Sequence, residues 1–149
     1  MPDDPPAQEL NLGLLLHIPY RALENRVFAA FAEAGYGDVT PAQARIFQRI
    51  GRHGTRLTEL AQAAQVTKQT AGFLVDQLER AGYVERTPDP TDARARLVRV
   101  TSRGAAAAPI GAAAIAAIEA EWTAQIGSRR MAQLRDALTR LREITDPYL

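Results

Sequence analysis

The 149-residue sequence predicts a mainly α fold with one small β-hairpin, and three observations predict it. Apolar residues recur at helical spacing through most of the chain. Capping residues and glycines cut that pattern into separate helices. One stretch, RTPDPTDARARLVRVT from Arg86 to Thr101, instead gathers turn formers and then alternates apolar with polar residues, three of them arginines.

The opening MPDDPPAQEL is acidic and proline-rich, without the basic start and apolar run of a signal peptide. NLGLLLHIPYRALENRVFAAFAEAGYG reads as a long helix, with Leu16, Tyr20, Leu23, Val27 and Phe31 at helical spacing. Pro19 is expected to kink or divide it, and Gly35 and Gly37 to end it. A second helix opens at Thr40: Thr40 caps it, Pro41 suits the first helical position, and Gln43 completes a capping box. A short third helix is expected from Thr58, with Leu57, Leu60, Ala61 and Ala64 as its apolar set. After a turn of about three residues, Thr67 caps a fourth helix. Its Ala71, Leu74, Val75 and Leu78 share one face, and Gly82 stands where a left-handed cap residue belongs.

Two amphipathic helices joined by a tight turn are the pattern of a helix-turn-helix. A hairpin comes next, with Tyr83–Thr87 and Arg96–Thr101 as strands and PDPTDARA as a turn-rich loop stiffened by Pro and Asp. That is the chain order of a winged helix. In the last third, Ser102 is expected to cap a helix carrying Ile115, Ile118, Trp122 and Ile126. Ser128 is expected to cap one carrying Met131, Leu134, Leu138 and Leu141. These narrow apolar seams point to helix association between subunits. The expected organisation is residues 1–36 as an N-terminal tail and dimerisation helix, 37–103 as a winged helix-turn-helix DNA-binding region, and 104–149 as C-terminal dimerisation helices. Together they make one compact protomer.

Composition narrows the function. The absence of cysteine excludes disulfides, thiol catalysis and Cys-based zinc sites. Apolar runs are broken by Gly, Pro or charge short of the roughly 20 residues of a membrane span, so a cytoplasmic protein with no membrane partner is expected. The net charge is only +1, but residues 45–103 hold eleven basic and six acidic residues, a local +5. A basic middle between acidic ends fits a polyanionic partner.

Catalysis has little support. His17 and His53 are the only histidines and lie in different elements, and no P-loop, dinucleotide turn, nucleophile elbow or HExxH occurs. No enzyme activity, cofactor or metal site is expected.

DNA binding has more. A recognition helix presents its first residues to base edges in the major groove, and here these are Thr67, Lys68, Gln69 and Thr70. Gln pairs with adenine, Lys donates to guanine, and Thr contacts bases, methyls or phosphates. Gly72 costs about 1 kcal/mol against Ala in a helix interior, which points to close approach of another helix or of DNA. Phe73 falls outside the apolar face, and two readings stand open: a contact with thymine methyls or a sugar, or a ring folded back. On the wing, Arg94 is placed to enter a narrow A·T-rich minor groove, with Asp92 holding its guanidinium. Arg86, Arg96 and Arg99 are candidates for phosphate contacts or wing-stabilising pairs, and Arg56 and Thr58 for phosphate contacts beside a helix N-terminus.

The segment Leu57–Gly104 resembles the winged-helix core of MarR-type transcriptional regulators, most closely in LVDQLERAGYVER and in the DPxDxR of the wing. The resemblance implies a homodimer joined by its first and last helices, with two lobes on a pseudo-palindromic operator. It also implies a regulator, often a repressor, relieved by a small aromatic effector bound between lobe and dimer helices. His17, Tyr20 and Arg21 are the candidates for that effector pocket. Gly72 and Phe73 depart from the polar and basic residues common at those places, and Ala93 from an Arg. The alternative function is a winged-helix protein–protein interaction module that does not bind DNA.

Overall fold

The computed structural model describes residues 9–146, so most of the acidic N-terminal tail lies outside the described residues. The elements run α1 (Leu12–Glu33), α2 (Pro41–Phe47), β1 (Thr55–Arg56), α3 (Leu57–Ala63), α4 (Lys68–Arg80), β2 (Val84–Asp89), β3 (Asp92–Val100), α5 (Ser102–Ile126) and α6 (Ser128–Thr145).

α1 runs through Pro19 as one helix, so Pro19 does not divide it. Pro19 removes the amide that would bond the Leu15 carbonyl, but the helix is exposed from Leu12 to Ile18, so solvent can take that acceptor. α2 starts as its sequence predicts: Thr40 Oγ1 accepts from the Gln43 amide at 3.3 Å, and the Gln43 side chain accepts from the Thr40 amide at 3.1 Å. α3 begins at Leu57, one residue before Thr58, with Arg56 at the cap position and no side-chain hydrogen bond capping the helix.

The α3–α4 turn places Gln65 at φ 58°, a left-handed conformation that a non-glycine residue adopts at some cost. α4 ends at Gly82, φ 84°, with the Tyr83 amide bonding the Leu78 carbonyl and the Gly82 amide the Glu79 carbonyl. Those two bonds close a Schellman motif.

The sheet has three antiparallel strands in the order β1–β3–β2. β1 was not foreseen: Thr55 pairs with Val98 and Arg56 with Leu97, a strand too short to alternate. The hairpin strands are longer than expected. β2 reaches Asp89 and β3 starts at Asp92, so the turn is Pro90–Thr91 alone and most of PDPTDARA is strand.

Two caps move by one residue. Thr101, not Ser102, caps α5, accepting from the Gly104 amide at 3.2 Å. Ser128 is the first residue of α6, which follows Gly127 at φ 90° with no side-chain cap.

The core joins α2, α3, α4 and the sheet: Ile46, Leu60, Ala71, Val75, Leu78, Tyr83, Val84 and Val98 are each at most 2% exposed. α5 enters this core through Ala107 and a close crossing at Gly104. A Cβ on Gly104 would run into the Tyr83 carbonyl oxygen and lie 2.9 Å from Val100 Cγ1. Further along, Gly111 lies under the Phe31 ring of α1.

α5 also departs from the expectation of broken apolar runs. Its length and Ala-rich composition alone suffice to cross a membrane, with a mean hydropathy of 1.2 over the most apolar window. In the fold it packs along α1, and Arg26 of α1 forms a two-pronged pair with Glu121 of α5 at 2.8 and 2.9 Å. Leu12, Leu15 and Ile18 of α1 and Leu134, Leu138 and Ile144 of α6 are exposed, and α6 buries no residue.

Candidate nucleic-acid interface

α4 has one buried face and one open face. Ala71, Leu74, Val75 and Leu78 are 0–8% exposed, while Lys68, Gln69, Thr70 and Phe73 are exposed. Thr67 is committed to the cap: its Oγ1 accepts from the Thr70 amide at 3.1 Å and donates to the Thr70 hydroxyl at 2.9 Å. Lys68 and Gln69 make no such contacts, so their side chains stand at the positive end of the helix dipole with their donors free. Phe73 does not fold back; the residue is 58% exposed.

One turn later the charge changes sign. Asp76 pairs with Arg86 at 2.8 Å, and Glu79 accepts from the Arg86 guanidinium at 2.9 Å and from its amide at 3.0 Å. Of the two roles open to Arg86, the geometry places it in the wing-stabilising pair, bracing β2 against α4.

The wing tip is held by two aspartates. Asp89, only 7% exposed, accepts from the Thr91 amide at 2.8 Å and the Thr91 hydroxyl at 2.7 Å, and it pairs with Arg56 at 2.7 Å. Those bonds, the Thr91 amide first, hold its carboxyl down at about 2. Arg56 is thus occupied as a strut between β1 and the tip, with Asp92 a further 4.0 Å contact. Asp92 does not grip the Arg94 guanidinium as expected. It accepts from the Arg94 backbone amide at 3.0 Å, an Asx turn that fixes the tip and leaves the guanidinium exposed.

These pairings sort the basic residues between 45 and 103. Arg45, Arg49, Arg56, Arg86 and Arg103 are in ion pairs, with Glu24, Asp146, Asp89, Asp76 and Asp38 respectively. Among the described residues, Arg52, Lys68, Arg80, Arg94, Arg96 and Arg99 are in none, and all six are exposed. Three of these stand on β3 and Lys68 opens α4. Thr58, in the first turn of α3, is exposed as well.

Behind this surface a polar cluster ties the lobe to α5. The Tyr83 hydroxyl donates to Asp38 at 2.5 Å and accepts from Arg103 at 3.1 Å, while the Arg103 guanidinium lies 4.6 Å from the Tyr83 ring centre and 5.2 Å from that of Tyr36. Burial, then the bond to Asp38 and its charge, push the Tyr83 phenol up to about 12. The same bond holds the Asp38 carboxyl below its ordinary value.

A cavity of about 430 Å³ opens where the lobe meets α1 and α5. Val27, Phe31, Phe47, Tyr83, Ala108 and Ile115 are among its walls, and Gln48 brings the one side-chain amide. His17, Tyr20 and Arg21 do not line it. They sit further up α1, where Tyr20 donates to Glu24 at 2.9 Å and Arg21 pairs with it at 2.6 Å. Burial pushes the Glu24 carboxyl up, but the Tyr20 hydrogen bond and the Arg45 and Arg21 charges outweigh it and leave it below its ordinary value. The cavity wall was visible in the sequence only as parts of separate apolar helix faces, at Val27 and Phe31 of α1, Leu78 of α4 and Ile115 of α5. Among the described residues no three of His, Cys, Asp and Glu come together as a metal site.

A capped helix-turn-helix followed directly by a braced β-wing defines a winged helix-turn-helix protein. The sequence profile of the MarR family matches residues 37–95. The crystal structure of MarR superposes with a TM-score of 0.72 at 30% identity, covering 91% of this chain and 98% of that one. The chain belongs to the MarR family. Transcriptional regulator HosA of Escherichia coli O111:H- is 37% identical over 79 residues, 50% of this chain and 58% of that protein, so the match spans little more than half the relative's length. The Staphylococcus aureus MepR–DNA complex has the same fold, with a TM-score of 0.71 at 19% identity over 91% of this chain and 98% of that one.

Proposed function

We propose that this chain is a sequence-specific DNA-binding transcriptional regulator that acts in the cytoplasm as a homodimer on a pseudo-palindromic operator. The observation that carries the reading is the sorting of charge. Arginines that brace the fold are paired, and four of the six unpaired cations stand at the start of α4 (Lys68) and along β3 (Arg94, Arg96 and Arg99). α4 enters the major groove with Lys68, Gln69, Thr70 and Phe73 toward the bases, and Thr67 caps it at the phosphates. Arg94 reaches the adjacent minor groove, Arg96 and Thr58 contact backbone, and Arg56 and Asp92 hold the wing. The DNA-bound state of MepR supports the use of this fold on duplex DNA.

The exposed apolar faces of α1 and α6 support the homodimer. The cavity of about 430 Å³ supports an effector-responsive repressor, and its walls favour a small, largely apolar or aromatic molecule. Such a molecule binds at the joint between lobe and dimer helices, so it can alter the spacing of the two recognition helices.

A salt titration of binding to duplex DNA tests the proposal. A dimer making six or more phosphate contacts loses roughly a thousandfold in affinity between about 50 and 200 mM salt. Binding that ignores salt, or no binding to any duplex in a random pool, would overturn it and favour the protein–protein module.

A further inference from the structure

Phe73 is out of place on energetic grounds. Between α2 and β3 the lobe buries or half-buries its large apolar side chains with two exceptions among the described residues, Val100 at 37% exposure and Phe73 at 58%. Phe73 follows Gln69 by four residues, so both lie on the open face of α4. The anionic Asp76 and Glu79, both held by Arg86, begin the next turn and mark where that face stops being suited to DNA. Phe73 is therefore the last residue of the groove-facing run that begins at Lys68.

A phenyl ring offers no hydrogen bond. Against the polar base edges of a major groove it can only strip water from acceptors and donors, at a loss. The one apolar group on that groove floor is the C5 methyl of thymine. We infer that Phe73 is a specificity-determining residue that packs on a C5 methyl, fixing thymine at one position of each half-site beside the base pair read by Gln69. The inference rests on the DNA-binding reading above. A cytosine methylated at C5 presents the same group, so it is the second source of this contact.

The test uses the full chain and an operator selected from random duplexes. Each thymine is replaced in turn by deoxyuridine, which removes the methyl and nothing else, and binding is measured for the wild type, Phe73→Ala and Phe73→Leu. At one position per half-site, deoxyuridine weakens the wild type roughly three- to fivefold, the worth of one buried methyl group. Phe73→Ala binds more weakly and is indifferent to deoxyuridine there, and Phe73→Leu keeps a reduced sensitivity. With guanine–cytosine placed at that position, methylation at C5 restores binding if the methyl itself is read; no restoration means that thymine O4 is read as well. A wild type that binds tightly yet is nowhere sensitive to deoxyuridine overturns the inference, as does equal sensitivity in Phe73→Ala. A wild type that binds no duplex overturns the DNA-binding reading instead. The ring is exposed, so both variants should melt with the wild type.

Discussion

The Asp92 carboxylate accepts a hydrogen bond from the Arg94 backbone amide at 3.0 Å, so the residue that stiffens the wing tip holds its neighbour by the main chain and not by the charge. The guanidinium therefore stays exposed on a fixed stem. Asn can accept the same bond, whereas Ala cannot. Asp92→Asn is expected to keep most of the DNA affinity, and Asp92→Ala to lose several-fold by loosening the tip. Anisotropy titrations of both variants decide it. Equal losses would mean that the charge of Asp92, 4.0 Å from Arg56, matters more than the turn.

Arg94 itself carries the second prediction. An Arg in a narrow minor groove senses its width and potential, which A·T-rich sequence enhances. Arg94→Ala should weaken binding by about 1–3 kcal/mol on operators with A·T-rich flanks, the range for an arginine that senses sequence. The loss should be smaller on G·C-rich flanks. Parallel titrations on the two duplexes test it, and equal losses would reduce Arg94 to a phosphate contact.

The wing shows what was legible in the sequence and what was not. Asp and Pro at the tip, Thr40 and Thr67 as caps, and Gly82 as a left-handed stop act through residues three or fewer positions away, so local rules find them. Gln69 and Phe73 were placed on the open face by helical spacing alone. The Arg56–Asp89 strut joins residues 33 apart, and the Tyr83–Asp38 bond joins residues 45 apart. Sequence spacing contains no trace of either. That is why Arg56 read as a phosphate contact while the structure occupies it in the fold. The candidates for an effector pocket differ from the walls of the cavity for a similar reason. His17, Tyr20 and Arg21 have the right chemistry for a ligand, but the cavity lies two turns further along α1, behind residues that read as ordinary core.

Two glycines set opposite expectations. A Cβ on Gly72 would lie 3.7 Å from Leu57 Cδ2, an ordinary contact, and nothing else is near. Within the protomer, no close approach of another helix requires this glycine. Gly72→Ala should stabilise the protein by up to about 1 kcal/mol, the difference in helix propensity. Gly104→Ala drives its methyl into the Tyr83 carbonyl and the Val100 and Phe47 side chains. It should cost about 3 kcal/mol, the upper part of the usual overpacking range. Denaturant melts of both variants settle the pair, and a neutral Gly104→Ala would show that α5 can lift off the lobe without penalty.

The joint beneath the lobe gives a pH-dependent prediction. Tyr83 is raised to about 12 in the folded protein, against about 10 for an ordinary phenol. The folded state thus keeps a proton that the unfolded chain gives up. The stability this contributes is fully present below about pH 10 and is lost as pH rises toward 12. An ultraviolet phenolate titration of the folded protein should show one step near pH 12 that Tyr83→Phe removes. Arg103 pulls the phenol down, so Arg103→Ala should move that step higher still. If Tyr83→Phe leaves the high step in place, the proton belongs to another tyrosine and the Tyr83–Asp38 bond does not hold this joint.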